Sequence, residues 1–147
     1  MIEIIQGNLL DSDCNVICHQ CNCVGKMGAG IALEIRKRFP KAYEAFMDDY
    51  RTGKNILGNI GYTIDSKMVI NMYSQNDIYP RGIRHTDYDA FRQCCEKIKF
   101  VLSKVQDKVR IGFPYGIGCG LAGGDWNIVS QILEEEFDGW DCRIYKI

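Results

Sequence analysis

The chain has 147 residues, of which 46% are hydrophobic and 25% charged, a composition typical of one globular domain with a single core. Its formal net charge of −1 lacks the basic excess that nonspecific nucleic-acid binding needs. No apolar run approaches the roughly 18 residues of a membrane helix. Residues 1–10 interrupt their apolar run with Glu3 and Gln6 and lack a basic start, so we expect no signal peptide and a cytoplasmic protein.

The elements predicted along the chain alternate between strands and helices. Apolar runs predict strands over residues 2–6, 15–20, 57–65, 67–73, 109–114 and 142–147. Helical patterns cover 30–39, 41–53, 86–104 and 126–137, with Pro40 ending the first helix. Thr86 or Asp87 is expected to cap the third helix, and Asp125 the fourth. We therefore predict one α/β domain, residues 1–147, with a mixed, largely parallel central sheet between helices in three layers.

Eight cysteines are present: Cys14, Cys18, Cys21, Cys23, Cys94, Cys95, Cys119 and Cys142. In a domain with its own core and no export signal, we expect reduced thiols that act mostly as buried hydrophobic side chains. The segment C-H-Q-C-N-C at 18–23 contains one zinc-ligand spacing, but a structural site normally needs a second such pair. We therefore predict neither a metal nor a cofactor.

Three loops follow predicted strands and are rich in glycine or asparagine: 7–10, 21–33 and 113–126. In open α/β sheets, ligands bind at the carboxyl ends of strands, where such loops gather. Glycine admits a ligand close to the backbone, and the helix that begins after the second and third loops favours an anion. A tortuous connection without a ligand is the alternative. Neither the loop at 21–33 nor the loop at 113–126 has the spacing of a dinucleotide-binding fingerprint or a Walker loop.

The motifs "GNLL", "NVICHQCNCVGKMGAGIALEIRKRFP" and "FPYGIGCGLAGGDW" resemble those of macrodomains. The most similar branch contains the terminal ADP-ribose glycohydrolase and the ADP-ribose-1″-phosphate processing proteins. The resemblance covers essentially the whole chain, and the second motif together with the third is specific. It implies a three-layer macrodomain fold, a bound ADP-ribose or ADP-ribose derivative, and a monomer.

The resemblance also implies where each part of the ligand lies. The adenine end falls at Asn8 and Leu9, where the family commonly has Asp in the place of Asn8, so adenine selectivity is an open question. Asn22 matches an asparagine that faces the distal ribose. The remaining implied ligand-binding residues belong to two loops that clasp the pyrophosphate: Gly28, Ala29, Gly30 and Ile31 in one, and Gly116, Ile117, Gly118, Cys119, Gly120 and Leu121 in the other.

The catalytic residues match less well. The glycohydrolase branch has a lysine where this sequence has Gln75, and an Asp where it has Ala122, with Asp125 three residues later. The loop agrees better with the phosphate-processing branch. The candidates for catalysis are Asn22, Gln75, Asp125 and His19, where Asn22 would orient the ribose or a water and the last two would move a proton. Asp125 can equally be a helix cap, and His19 a histidine of the core.

Two functions follow from the resemblance. The first is a hydrolase that removes a group from the distal ribose, as an ADP-ribose-1″-phosphate phosphatase or an ADP-ribosyl ester hydrolase. The second is a reader that binds or sequesters the nucleotide without turnover. The implied partners are ADP-ribose derivatives and, potentially, ADP-ribosylated protein or nucleic acid, with no membrane. The polar loop 79–85 is a candidate lid in which Arg81 or Arg84 would meet a terminal phosphate.

Overall fold

The computed structural model describes all residues, 1–147. Its six strands are β1 (Glu3–Gln6), β2 (Val16–Asn22), β3 (Ile60–Ile64), β4 (Met68–Gln75), β5 (Ile111–Pro114) and β6 (Cys142–Lys146). The four α-helices are α1 (Gly30–Arg38), α2 (Pro40–Thr52), α3 (Tyr88–Leu102) and α4 (Trp126–Glu136), and a short 3-10 helix covers Leu9–Asp11. All predicted elements are present, and the differences are confined to their ends.

The six strands form one sheet in the order β1-β6-β5-β2-β4-β3. The first five strands in this order are parallel, and β3 pairs antiparallel with β4 at the edge. The predicted mixed, largely parallel sheet is therefore confirmed. Because the carboxyl ends of parallel strands meet at the same edge, the loops that follow β1, β2, β4 and β5 gather there with the end of β6.

The two faces of the sheet bury separate cores, which produces the three layers. On one face α3 and α4 pack against the sheet, where Phe91 and Leu133 join Phe113 in one cluster. On the other face, α1 and α2 contribute Ile35 and Ala42 to a second cluster. Successive strand residues alternate between the faces, so the interior strands carry mostly apolar side chains on both sides.

The helix ends follow the expected chemistry. α1 ends before Pro40, which then occupies the first turn of α2, where its missing N–H costs nothing. The carboxylates of Asp87 and Asp125 accept hydrogen bonds from the amides of Ala90 and Asn127, which confirms both predicted caps. None of the four helices combines the length and the apolar composition that crossing a bilayer requires.

All eight cysteines are unpaired thiols. Six are buried, and Cys23 and Cys119 are half-buried, in agreement with the expectation of small hydrophobic side chains. No group of three or more His, Cys, Asp or Glu side chains is arranged to hold a metal ion.

Candidate functional site

A cleft of about 1040 Å³ opens at the edge of the sheet where the five parallel strands end. Its walls come from the loop after β1, the loop between β2 and α1, the end of β4, the loop after β5 and the end of β6. Since these segments are far apart in sequence, the parallel sheet is what brings them together.

The first wall is the segment 22–31, called here the first glycine loop. The side chain of Asn22 closes its initial turn: Nδ2 donates to the carbonyl of Lys26 at 2.7 Å, and Oδ1 accepts from the amides of Val24 and Lys26, each at 3.2 Å. Asn22 lines the cleft but is only 8% exposed, and its side-chain amide forms these hydrogen bonds within the protein. Met27 is buried beneath the loop.

The first glycine loop ends at the start of α1, and this helix start faces the cleft. Its N-cap residue, Ala29, supplies no side-chain hydrogen bond. The amides of Gly30, Ile31 and Ala32 consequently have no acceptor within the protein, and all three residues line the cleft. Unpaired amides at a helix N-terminus form a ready site for an anion such as phosphate.

The opposite wall is the segment 116–124, called here the second glycine loop. Gly116 and Gly118 have left-handed backbone conformations, with φ of 75° and 74°, which L side chains rarely adopt. The amides of Gly116, Gly118, Gly120 and Leu121 have no acceptor within the protein, although the residues line the cleft. Such a run of inward amides can cradle an anion without a cationic side chain.

Distant residues fix the second glycine loop at Gly118. Its carbonyl accepts from the Thr86 hydroxyl at 2.6 Å and from the amide of Gly124 at 2.9 Å. A Cβ atom at Gly118 would stand 2.9 Å from Oε1 of Gln20, so the loop lies directly on this strand residue. The carbonyl of Ala122 also accepts from the amides of His85 and Thr86.

A polar network runs beneath this loop at the floor of the cleft. Gln20 accepts from the Ser74 hydroxyl at 2.7 Å, and its Nε2 donates to Thr86 Oγ1 at 2.9 Å and to Gln75 Oε1 at 3.3 Å. Gln75 donates in turn to the carbonyl of Asp77 at 2.8 Å. Sequence reasoning singled out Gln75 but missed Gln20, Ser74 and Thr86. The available signal was a glutamine in a mostly apolar strand, two residues before Asn22.

The loop after β1 forms one end of the cleft. Asn8 Oδ1 accepts from the amide of Leu10 at 3.0 Å and so caps the short 3-10 helix. Leu9 and Leu10 are buried, and both line the cleft with Asn8. This end therefore offers apolar contacts beside the amide group of Asn8.

The charged side chains that line the cleft are mostly cationic: Lys26, Arg38, Arg81 and Lys146, against the acidic Glu34. Arg38 pairs with Asp11, whereas the other three cations form no ion pair. The chain as a whole carries a net charge of −1, so this cationic excess is local to the cleft. Arg84 does not line the cleft, and its guanidinium lies over the ring of Tyr88 at 4.3 Å.

The structure brings most of the predicted site residues to the cleft. Those that line it are Asn8, Leu9, Asn22, Gly28, Ala29, Gly30, Ile31, Gln75, Gly116, Ile117, Gly118, Gly120 and Leu121. Cys119, Asp125 and His19 do not line it.

His19 lies on the opposite face of β2 from Gln20 and is fully buried. Its Nε2 is 2.6 Å from Asn71 Oδ1, and burial lowers the pKa of the imidazole from 6.5 to about 4. The neutral ring is thus a polar member of the core, and its position gives no support to the predicted proton transfer. The carboxylate of Asp125 caps α4, which likewise places it outside the cleft.

The thiols of the chain are not activated as nucleophiles. Burial raises the pKa of Cys119 to about 11, and its Sγ donates to the carbonyl of Ile117. Burial also raises the pKa of the Cys23 thiol within the first glycine loop. Because a thiolate is the reactive form, neither cysteine has the environment of a catalytic nucleophile.

Comparisons with known proteins agree with this geometry. A family model described as Macro domain matches residues 18–133. The Thermus aquaticus protein named DNA ADP-ribosyl glycohydrolase is 27% identical over 151 residues, covering 99% of this chain and 41% of that protein. The chain therefore spans well under half the length of this relative.

Two further relatives match along nearly their whole length. The Debaryomyces hansenii protein named ADP-ribose 1″-phosphate phosphatase is 37% identical over 180 residues, covering 100% of this chain and 99% of that protein. The solved macrodomain of Mycobacterium tuberculosis DarG superposes with a TM-score of 0.86 at 25% identity, covering 99% of this chain and 97% of that one.

Proposed function

This chain belongs to the macro domain family, as its motifs predict, and on that premise we propose that its cleft binds ADP-ribose or a derivative and hydrolyses a group on the distal ribose. The observation that carries the proposal is the pair of glycine loops, whose unpaired amides face one cleft from two sides. A pyrophosphate carries negative charge on the oxygens of both phosphates, so each phosphate can accept from one set of amides.

The rest of the cleft suits the two ends of such a ligand. Its volume of about 1040 Å³ lies at the upper end of the range for small-molecule sites, which an extended dinucleotide-sized ligand requires. The apolar surface of Leu9 and Leu10 supports placement of the adenine beside Asn8. Asn22 and Gln75 pair in register at the ends of β2 and β4 and line the other end, which suits a polar ribose.

Hydrolysis at this site would rely on positioning and backbone donors. For a phosphate or acyl group, water would add its oxygen to the phosphorus or acyl carbon, the bond from that atom to the ribose oxygen would break, and a proton would pass to the departing ribose oxygen. For a group held by a glycosidic bond, water would add its oxygen to the anomeric carbon, the glycosidic bond would break, and a proton would pass to the departing group. Unpaired amides can stabilise the negative charge that develops in such a step. With Gln75 in the position of the family lysine and unactivated thiols, we propose no covalent adduct with the protein.

The group removed is a finer part of the proposal. The name of the Debaryomyces hansenii relative supports a 1″-phosphate, and the name of the Thermus aquaticus relative supports an ADP-ribosylated nucleic acid. An ADP-ribosyl ester on protein is the third substrate class. The sequence agreement of the second glycine loop with phosphate-processing members favours the 1″-phosphate.

A reader without turnover is the second candidate function. Gln75 and Ala122 support it, because neither side chain can serve as a nucleophile or a base where the glycohydrolase branch has lysine and aspartate. A reader and a hydrolase would bind ADP-ribose alike, so affinity alone does not separate them.

Product formation separates the two functions. The purified chain is incubated with ADP-ribose-1″-phosphate, with protein ADP-ribosylated on glutamate and with ADP-ribosylated DNA, and released phosphate or ADP-ribose is measured. We expect phosphate release from the first substrate. ADP-ribose binding with no product from any of the three would establish the reader instead, and absence of ADP-ribose binding would refute both functions. The monomeric state and the cytoplasmic location stay predictions, of which size-exclusion chromatography tests the first.

A further inference from the structure

The hydrogen bonds beneath the second glycine loop have only one possible direction. The backbone carbonyl of Gly118 can only accept, so the Thr86 hydroxyl, 2.6 Å away, donates its single hydrogen to it. The Gln20 atom 2.9 Å from Thr86 Oγ1 must then be the donor Nε2. The Oε1 atom of Gln20 is left to accept from the Ser74 hydroxyl. A backbone carbonyl thus determines how the Gln20 amide is oriented.

The orientation of the Gln75 amide is fixed at both ends. The carbonyl of Asp77 accepts at 2.8 Å, so the Gln75 atom beside it is Nε2. The Oε1 atom of Gln75 then accepts the second hydrogen of Gln20 Nε2, at 3.3 Å. If the Gln75 amide turned over, two donors would meet at Gln20 and two acceptors at Asp77.

This arrangement decides what Gln75 can offer a ligand. One Nε2 hydrogen is bound to Asp77, and the other has no acceptor within the protein. Gln75 is half-buried, lines the cleft and pairs in register with Asn22. The end of the cleft near Asn22 therefore presents an N–H donor that lacks the reactivity of an amine.

We propose that Gln20 is a positioning residue that acts through Gln75, holding its amide so that an N–H donates to an oxygen of the distal ribose or of the group attached to it. The inference rests on the proposed function, because it requires ADP-ribose or a derivative in the cleft. It assigns Gln75 the role of a specificity-determining contact to the part of the ligand beyond the pyrophosphate. Thr86 belongs to the same chain of hydrogen bonds and links it to the second glycine loop.

A double-mutant cycle tests the coupling. Gln20→Met, Gln75→Met and the double variant are titrated calorimetrically with ADP-ribose and with ADP, which has the pyrophosphate but no distal ribose. We expect Gln75→Met to weaken ADP-ribose binding about tenfold and ADP binding less than about twofold, the loss expected for one ligand hydrogen bond. Gln20→Met should weaken ADP-ribose binding similarly. In the Gln75→Met background, however, Gln20→Met should weaken ADP-ribose binding by less than about a further threefold.

Two further measurements separate positioning from general stability. Thr86→Val removes the hydroxyl and should reduce the preference for ADP-ribose over ADP, whereas Thr86→Ser keeps the hydroxyl and should restore it to within about twofold. This pair also serves if Gln20→Met fails to fold. Gln131→Met, at an exposed residue of α4, is the control for exchanging glutamine for methionine and should change neither affinity.

The outcomes distinguish this inference from the function on which it rests. If the unmodified chain binds ADP-ribose but Gln20→Met and Gln75→Met act additively, Gln20 does not work through Gln75 and the inference is refuted. The same follows if Gln20→Met lowers the melting temperature while the ratio of the two affinities stays constant. If the unmodified chain does not bind ADP-ribose, the proposed function fails first and the inference falls with it.

Discussion

The two glycine loops line one cleft, yet they are held in place in different ways. In the first glycine loop, the side chain of Asn22 closes the turn through bonds to residues no more than four positions away. In the second glycine loop, the carbonyl of Gly118 is held by Thr86, 32 residues earlier in the chain. The turn of the first loop is closed by Asn22, and only Cys23 beside it bonds to the distant Asn55, Gln75 and Asn76. The second loop depends on residues of β2, of β4 and of the segment just before α3.

This difference predicts how the two loops respond to substitution. Damage to the turn that Asn22 closes should stay within that turn, because the bonds of its side chain reach only Val24 and Lys26. Damage to a loop clamped by distant residues propagates, since Gln20 and Thr86 also orient each other and Gln75. We therefore expect the largest losses of stability and binding to come from the contact between Gly118 and the network beneath it.

The largest effect is expected for Gly118→Ala. The new Cβ would meet Gln20 Oε1 at 2.9 Å and Thr86 Oγ1 at 3.1 Å, in a residue whose φ of 74° already strains an L side chain. Left-handed strain of roughly 1–2 kcal/mol and overpacking of roughly 1–3 kcal/mol together predict a loss of about 4 kcal/mol in the free energy of unfolding. Urea denaturation measures this loss.

Gly116→Ala is a matched control for this substitution. Its φ of 75° is nearly the same, but a Cβ there meets no atom within 4 Å. Only the backbone strain should remain, about 1–2 kcal/mol. Equal losses for the two variants would show that the clamp at Gly118 contributes nothing beyond backbone conformation, and the contrast between the loops would disappear.

The second effect is a pH dependence of stability that arises in β2, the strand that carries both Gln20 and Asn22. Burial lowers the pKa of His19 to about 4, below its unfolded value of 6.5, so the unfolded chain binds the proton more tightly. The stability that His19 contributes is complete above pH 6.5 and is lost as the pH falls from 6.5 to about 4, by about 3 kcal/mol. Unfolding followed at several pH values measures the slope.

Carboxylates also titrate at the lower end of this pH range. The contribution of His19 to the slope of stability against pH is therefore isolated by comparison with a variant that lacks the imidazole. His19→Gln should remove the part of the slope between pH 6.5 and 5, where His19 loses stability before most carboxylates are protonated. An unchanged slope in His19→Gln would contradict the assignment. Binding at the loops, measured at a pH where the chain stays folded, should not follow this titration, because His19 does not line the cleft.

The fold was accessible to sequence reasoning because its signals are local. Apolar runs gave the strands, Pro40 marked the boundary of two helices, and Asp87 and Asp125 marked the starts of two more. The ends were less accurate where polar residues continue a strand. β2 extends to Asn22 and β4 to Gln75, since hydrogen bonding to neighbouring strands overrides the polarity of their last residues.

The site was predictable to the extent that it is local. The glycine loops and Asn22 were identified from motifs, and they line the cleft. The contact of Gln20 with Thr86 joins residues 66 positions apart, which no spacing rule connects. Whether His19 faces the cleft or the core depended on the register of β2 and on what covers each of its faces, and the assembled sheet decides both. Cys119 follows the same logic, because the turn directs its thiol towards Ile117.

The next effect tests the locally closed turn. Asn22→Ala removes three hydrogen bonds of a nearly buried side chain, which predicts a loss of about 2 kcal/mol in unfolding free energy and about tenfold weaker ADP-ribose binding. Asn22→Asp keeps the acceptor for the amides of Val24 and Lys26 and should recover part of both losses. Comparable damage from the two variants would show that the donor bond to Lys26 alone closes the turn.

A smaller effect is expected at the end of the second glycine loop. Asp125→Ala removes the cap of α4 and should cost about 1 kcal/mol of stability while turnover stays unchanged. Asp125→Asn retains a capping oxygen and should restore the stability. A loss of turnover of about 100-fold or more in both variants would assign Asp125 the proton transfer that its position does not support.

The smallest effect concerns the cations that flank the two loops. Lys26 belongs to the first glycine loop, and Arg81 lies in the segment that packs beside the second, where a Cβ on Gly123 would meet the carbonyl of Ile83. Arg81 is exposed and without an ion pair, so solvent and salt screen its attraction for phosphate. Arg81→Ala should therefore weaken binding of ADP-ribose-1″-phosphate about threefold at low salt and hardly at all above roughly 0.5 M.

Arg84 provides the matched control for Arg81, because both are exposed and lie over tyrosine rings but only Arg81 lines the cleft. Arg84→Ala should leave the affinity for ADP-ribose-1″-phosphate unchanged at every salt concentration. Each variant removes one positive charge from the same segment. A difference between their affinities, measured by calorimetry, therefore reports the position of the arginine and not the loss of charge. Equal losses would mean that only the net charge of the segment matters, and Arg81 would then have no direct contact with the phosphate.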